Sequence, residues 1–234
     1  MKKIGMLGGL SFESTAEYYS IINRETQKRL GGTASAEILM YSFNFAEVEA
    51  LQTAGKQAEL TNLFVRWASA LKTAGADFLV ICANTMNRMA PEIALKADIP
   101  VLHIAEVTGT AVQKQGIRKV ALLGTRYVME GDFYKHILED KFNLDVMIPD
   151  NDERNFIHST IFGELIKGII SEDSRTKFVA IIDRLASQGA EGVILGCTEI
   201  PLLIGQADVS LPVFNTTRLH ALAAVDLALE KSAQ

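Results

Sequence analysis

The stretch Gly75-Ala76-Asp77-Phe78-Leu79-Val80-Ile81 reads as a glycine-led turn entering a short apolar strand, and Gly189-Ala190-Glu191-Gly192-Val193-Ile194-Leu195 repeats it 114 positions later. Two further pairs keep the same order. Ile4-Gly5-Met6-Leu7-Gly8 returns as Val120-Ala121-Leu122-Leu123-Gly124 at an offset of 116, and Ile99-Pro100-Val101-Leu102 returns as Leu211-Pro212-Val213-Phe214 at an offset of 112. One such pair would carry little, because glycine before a buried strand is common. Three in order, at nearly one offset, point to two copies of a single α/β half, roughly 1–108 and 117–222.

Outward from these pairs, short β-rich runs alternate with segments whose apolar residues recur at three and four. The expected strands are Lys3 to Leu7, Glu37 to Ser42, Phe78 to Cys82, Val101 to Ile104, Lys119 to Leu123, Asp145 to Ile148, Gly192 to Gly196 and Pro212 to Asn215; Lys56 to Thr73 and Ser174 to Ser187 are among the helical stretches. Alternation of this kind implies parallel sheets with helices on both faces. The expected fold is therefore α/β, two pseudo-symmetric parallel-sheet domains. Ligands of open parallel sheets bind beyond the carboxyl ends of the strands. The cleft where the two sets of strand ends meet is the expected site.

Composition narrows the classes. The 234 residues are 48% hydrophobic and 22% charged, with 23 basic against 28 acidic side chains, a formal charge of −5, and a sequence pI near 5.5. No cationic field is available to hold nucleic acid or an anionic membrane. The apolar runs fall far short of the ~20 residues of a membrane span. Two cysteines cannot build a disulfide framework and no Cys/His group has metal spacing, so the expected setting is the reducing cytoplasm, with no metal. The glycines near the N-terminus lack dinucleotide spacing and no P-loop lysine follows, so neither NAD nor ATP is implied. His103, His136, His158 and His220 read as surface or packing residues.

Both cysteines fall at equivalent strand ends: Cys82-Ala83-Asn84-Thr85 follows the third strand of the first half and Gly196-Cys197-Thr198-Glu199 that of the second. Core filling alone would not place them so. A thiol between a strand end and a helix start feels the positive end of the helix dipole, which favours the thiolate. Thr85, Thr198 and the amides behind them would cradle a carboxylate, and Asn84 belongs to the same cluster. The first strands end in Gly8-Gly9-Leu10-Ser11 and Gly124-Thr125-Arg126, where glycine permits close approach of a ligand and Ser11 or Thr125 can donate to it. Ordinary helix capping would select several of the same residues.

Taken together these strand ends resemble the aspartate/glutamate racemase superfamily of cofactor-independent amino-acid racemases, and aspartate racemase most closely. Gly8-Gly9-Leu10-Ser11-Phe12-Glu13-Ser14-Thr15 resembles its opening motif, Asn84-Thr85-Met86 its central one, Leu123-Gly124-Thr125 the second-half opening and Gly196-Cys197-Thr198-Glu199 the second cysteine motif. The resemblance implies a C-terminal helix returning to the first domain, dividing the chain into 1–100 plus 212–234 and 101–211. It implies a homodimer with no cofactor, a small acidic amino acid or related carboxylate as partner, and a ligand near Gln52 and Glu199. Lys167 or Arg126 would meet a side-chain carboxylate. Two acid/base groups, one on each face of Cα, would move the proton.

The chain departs from that pattern at one point. The family cysteine stands immediately before Asn-Thr, where this chain has Ala83; Cys82 lies one place early, and the repeat likewise sets Ala83 opposite Cys197. A one-residue shift on a strand turns the side chain to the other face, so Cys82 is expected to point away from the substrate. The family often has histidine where this chain has Asn87. The reading is an amino-acid racemase with Cys197 as one acid/base, and Cys82 after a local bulge, Thr85 or a held water as the other. A one-base decarboxylase or isomerase of the same superfamily, and a non-catalytic carboxylate binder, are the alternatives.

Overall fold

The computed structural model describes residues 1–230; the last four residues of the expected 212–234 segment lie outside them. The chain divides into two compact units, Met1–His103 with the chain from His220 onward, and Ile104–Leu219.

In the first unit, four parallel strands form a sheet in the order β2-β1-β3-β4: β1 (Ile4–Gly8), β2 (Ile38–Ser42), β3 (Phe78–Ile81) and β4 (Val101–Leu102). Helices α1 (Phe12–Leu30), α2 (Phe45–Thr53), α3 (Gln57–Thr73) and α4 (Ala90–Ala97) make the connections. Alternation along β1 and β3 sorts side chains between two cores. Leu7, Leu79, Ile81 and Ala83 pack on the face with Leu60, Phe64 and Ile93, whereas Ile4, Met6, Phe78, Val80 and Cys82 pack on the other, with Tyr18 and Ile22 of α1 and Ala221, Ala224 and Val225. Capping chemistry sets α1: the Ser11 side chain accepts from the Ser14 amide, Glu13 lies in the first turn, Lys28 and Arg29 lie in the last, and the chain leaves through Gly31 at φ +78°.

The second unit repeats this plan. Strands β5 (Lys119–Gly124), β6 (Asp145–Met147), β7 (Gly192–Gly196) and β8 (Val213–Asn215) are parallel, in the order β6-β5-β7-β8. Its helices are α5 (Ile104–Lys114), α6 (Arg126–Met129), α7 (Asp132–His136), α8 (Asn151–Gly163), α9 (Glu172–Ser187), α10 (Ile200–Leu203) and α11 (Thr216–Leu229), whose residues from His220 belong to the first unit. Ala121, Leu123, Val193, Leu195 and Cys197 share one core, and Val120, Leu122 and Ile194 share the other. Asp150 and Glu153 form a reciprocal capping box at the start of α8.

The registers match between units. Ile4 pairs with Phe78 and Leu7 with Ile81; Val120 pairs with Gly192 and Leu123 with Leu195. The chain divides a few residues later than expected at both boundaries, because hydrogen bonding and not sequence position assigns a strand. Val101 and Leu102 pair with β3, in the first sheet. Val213 to Asn215 pair with β7, which keeps them in the second.

Within the first unit, His220 is fully buried. Its Nε2 donates to the Leu102 carbonyl at 2.8 Å and its Nδ1 accepts from the Tyr18 hydroxyl at 2.9 Å, so the ring is held neutral. Burial pushes its pKa down to about 4 from the ordinary 6.5. The unfolded chain therefore binds the extra proton first as pH falls. Stability from this group is complete above about 6.5 and declines toward 4, by up to ~1.4 kcal/mol per pH unit. Urea unfolding at pH 7.5 and at pH 5 should show wild type losing about 2 kcal/mol more than His220→Gln. Equal losses would place the proton elsewhere.

Candidate active site

The strand ends of the first unit are built largely by their own hydrogen bonds. Gly9 takes φ +74°, and a Cβ there would lie 2.3 Å from the Phe43 carbonyl oxygen. Its amide donates to Thr15 Oγ1 at 2.8 Å. The glycine expected to admit a ligand instead admits the chain after β2. Ser11 is buried and caps α1. Ser14 Oγ donates to the Cys82 carbonyl at 3.1 Å, tying α1 to the end of β3.

After β3 the chain enters a tight helical turn over Thr85–Met89. Asn84 is buried and Thr85 half-buried. The sequence presents Asn87 only as a missing histidine, but the residue is fully buried, and its Nδ2 donates to the carbonyls of Ala83 at 2.7 Å and Ile81 at 3.2 Å. It holds the turn that carries Ala83, Asn84 and Thr85. Losing it would strip this donor from the buried Ala83 carbonyl, at ~1–3 kcal/mol, while the Ile81 carbonyl keeps its bond from the Ala83 amide. Only the Asn-then-turn pattern hints at this in the sequence.

Cys82 has no exposed surface and lies in the core beneath α1 and α11. Burial in that apolar environment pushes its thiol far up from its ordinary pKa. Ala83 lies on the opposite face, with Leu79 and Ile81. The methyl of Ala83 thus occupies the place in the first unit that Cys197 occupies in the second, and the thiol of Cys82 is turned inward.

In the second unit, Gly124 and Gly196 pair across β5 and β7. A Cβ on either would lie 3.1 Å from Val128 Cγ1 of α6. The two glycines let α6 settle on the strand ends. Beyond them, Cys197 is 7% exposed, with Thr125, Thr198 and Glu199 also buried. Cys197 Sγ donates to Glu199 Oε2 at 3.0 Å, and Thr198 Oγ1 donates to the same oxygen at 2.7 Å. One carboxylate oxygen therefore collects two donors beside the thiol.

This arrangement reverses the expected ionisation. Burial raises the Cys197 pKa well above its ordinary value, and the Glu199 charge and its hydrogen bond raise it further. The amides of Thr198 and Glu199 pull the other way, less strongly. The nearby helix α10 has a single turn, too short to contribute much dipole. Cys197 is a thiol whose proton faces a carboxylate.

The remaining expected residues stand apart from this cluster. Gln52 is half-buried on α2 and Lys167 is exposed. Arg126 is engaged locally, with Glu130 Oε1 at 3.1 Å and Asn155 Oδ1 at 2.9 Å. Among the described residues no group of three or more His, Cys, Asp and Glu could hold a metal ion, and no helix is long and apolar enough to cross a membrane.

Residues 7–224 match the model of the Asp/Glu/hydantoin racemase family, and the chain belongs to that family. A candidate Asp/Glu racemase from Yersinia pestis is 45% identical, with a TM-score of 0.94 over 98% of this chain and 100% of that one. An aspartate racemase homologue from Pyrococcus horikoshii OT3 is 35% identical, with a TM-score of 0.86 over the same shares. The broad specificity amino-acid racemase RacX of Bacillus subtilis (strain 168) is 21% identical over 238 residues, 97% of this chain and 98% of that protein.

The two thiols should respond differently to iodoacetamide. Mass spectrometry of the native protein should find Cys197 alkylated first and Cys82 protected until unfolding. Glu199→Gln removes the charge that raises the Cys197 pKa, so alkylation of Cys197 at pH 8 should accelerate. A slower rate in that variant would mean that Glu199 stabilises the thiolate.

Proposed function

We propose that the protein is an amino-acid racemase that inverts Cα of a small acidic amino acid by proton transfer, with Cys197 as the acid/base on one face. The observation that carries this reading is the hydrogen bond from the Cys197 thiol to Glu199 at the end of β7. As a thiol, Cys197 can give its proton to a carbanionic Cα. To act in the opposite direction it must first lose that proton, and Glu199 Oε2 is the acceptor already in place. Thr198 fixes the carboxylate for that exchange.

The substrate carboxylate must be held by donors that strengthen as charge spreads into it on loss of the Cα proton. The Thr198 and Glu199 amides, which already face Sγ, belong to that set in our proposal, with Ser11, Asn84, Thr85, Thr125 and Gln52. The chemistry asks for acid/base groups and fixed donors, which the chain's own residues supply. The homodimer, the cytoplasmic setting and the preference for aspartate implied by the resemblance are part of the same proposal.

Ala83 favours a second reading. With a methyl in the place equivalent to Cys197 and Cys82 sealed in the core, Cys197 could act alone, protonating an enolate from one side as a decarboxylase or isomerase does.

Incubation with L- and D-aspartate and L- and D-glutamate in D2O separates these readings. Cα deuteration is followed by NMR and configuration by chiral chromatography. The racemase gives deuteration with inversion; deuteration with retention throughout indicates one-sided chemistry, and no exchange despite binding indicates a carboxylate binder. Cys197→Ala should abolish inversion, by 100-fold or more on the ~10²–10⁴ scale of acid/base catalysis, while Cys82→Ala keeps most of it. Equal losses would overturn the assignment of the two thiols.

A further inference from the structure

Helix α1, which lies wholly in the first unit, buries one face and leaves another uncovered. Ser14, Thr15, Tyr18, Ile22 and Thr26 turn inward, in step with the helical period. On the outward side Phe12, Tyr19 and Leu30 are 70%, 52% and 54% exposed, and Ala16 is exposed between the two rings. Phe12, Ala16, Tyr19, Asn23, Gln27 and Leu30 follow one stripe of an α-helix, about 27 Å long at 1.5 Å per residue. Large apolar side chains aligned on one exposed stripe mark an interaction surface.

The two polar members of the stripe are already bonded within the chain. Asn23 Nδ2 donates to the Tyr19 carbonyl at 2.9 Å, and its Oδ1 accepts from the Ala36 amide at 3.1 Å. Gln27 Nε2 donates to the Gly32 carbonyl at 3.0 Å. Covering them leaves these bonds in place.

Charge decides what the stripe fits. Glu13, Glu17 and Arg24 lie along one flank of it, the acids in the first half of the helix and the arginine in the second. None of the three forms an ion pair among the described residues, whereas Arg29 in the last turn is paired with Glu25 and Asp226. A long ridge is not the concave pocket that a small ligand fills, and two carboxylates beside it disfavour an anionic membrane. A second copy of the chain fits. A two-fold axis across the middle of α1 sets the two helices antiparallel, so that the acidic half of each meets the basic half of the other. The opposed helix dipoles favour the same direction.

We infer that the protein pairs through α1, two copies packing this stripe antiparallel, with Tyr19 close to the two-fold axis and Glu17 of each copy beside Arg24 of the other. The inference rests on the homodimer included in the reading above and gives it a surface. By symmetry the charge pair forms twice.

The test uses the full chain, with Glu17→Arg and Arg24→Glu made separately and folding checked by thermal melts. Sedimentation velocity over a concentration series should find wild type dimeric. Each folded variant alone places like charges together twice, so its dimer Kd should rise about 10-fold or more. An equimolar mixture of the two variants should recover a heterodimer, because the two substituted side chains attract across the interface and the two native ones do as well. Variants that remain as dimeric as wild type put the homodimer on another surface and overturn the inference; variants that dissociate and do not recover on mixing overturn it too. A wild type that is monomeric throughout removes the homodimer and the inference with it, and the exchange experiment with aspartate and glutamate reads the racemase chemistry separately.

Discussion

Side chains on a strand alternate between two faces, and at the ends of β3 and β7 this alternation decides which core each side chain joins. Both strands hold equivalent registers against their neighbours, Leu7 opposite Ile81 and Leu123 opposite Leu195. The two positions after Ile81 and the two after Leu195 are therefore fixed in parity. Gly196 and Cys82 take one side, Cys197 and Ala83 the other. Moving a cysteine by one residue along such a strand does not shift its thiol slightly. It moves the thiol from one face of the sheet to the other, here from the packing of Ala83 to that of Cys82.

The surroundings reinforce that division. Cys82 packs among Ile4, Met6, Tyr18 and Val225, where a thiol behaves as a small apolar side chain. Cys197 has a carboxylate on its sulfur and two amides behind it. Glu199 also sets the resting form of the thiol. A negative charge beside a buried sulfur disfavours the thiolate, so Cys197 rests protonated and can donate without activation. In the proposed reaction, removal of a proton from substrate requires Glu199 to take the thiol proton first, so that the carboxylate would link the two directions.

Much of this is legible in the chain. Among the described residues, all eight strands lie where short β-rich runs between glycine, proline and polar turns place them, and the offsets of the repeat carry over into matched registers. The orientation of Cys82 follows from counting residues, because parity along a strand is a sequence property. Other features are not legible. The contact between Cys197 and Glu199 depends on how the turn after β7 folds back, which residue types alone do not specify. The bonds from Asn87 to the Ile81 and Ala83 carbonyls need the tight turn over Thr85–Met89 to bring them within reach. The thiol form of Cys197 depends on burial, which outweighs the short helix beyond it. Gly9 reads as room for a ligand because sequence cannot show that Phe43 fills that room.

The central claim is that the end of β7, through Cys197 and Glu199, addresses the reacting carbon while Cys82 does not. A crystal structure of Cys197→Ala soaked with aspartate tests it most directly. The account predicts an amino acid whose α-carboxylate lies on the amides following residue 197, with Cα facing the methyl that replaces the thiol and no ligand atom touching Cys82. An amino acid seated against the Cys82 side chain, or one bound away from the end of β7, would contradict it.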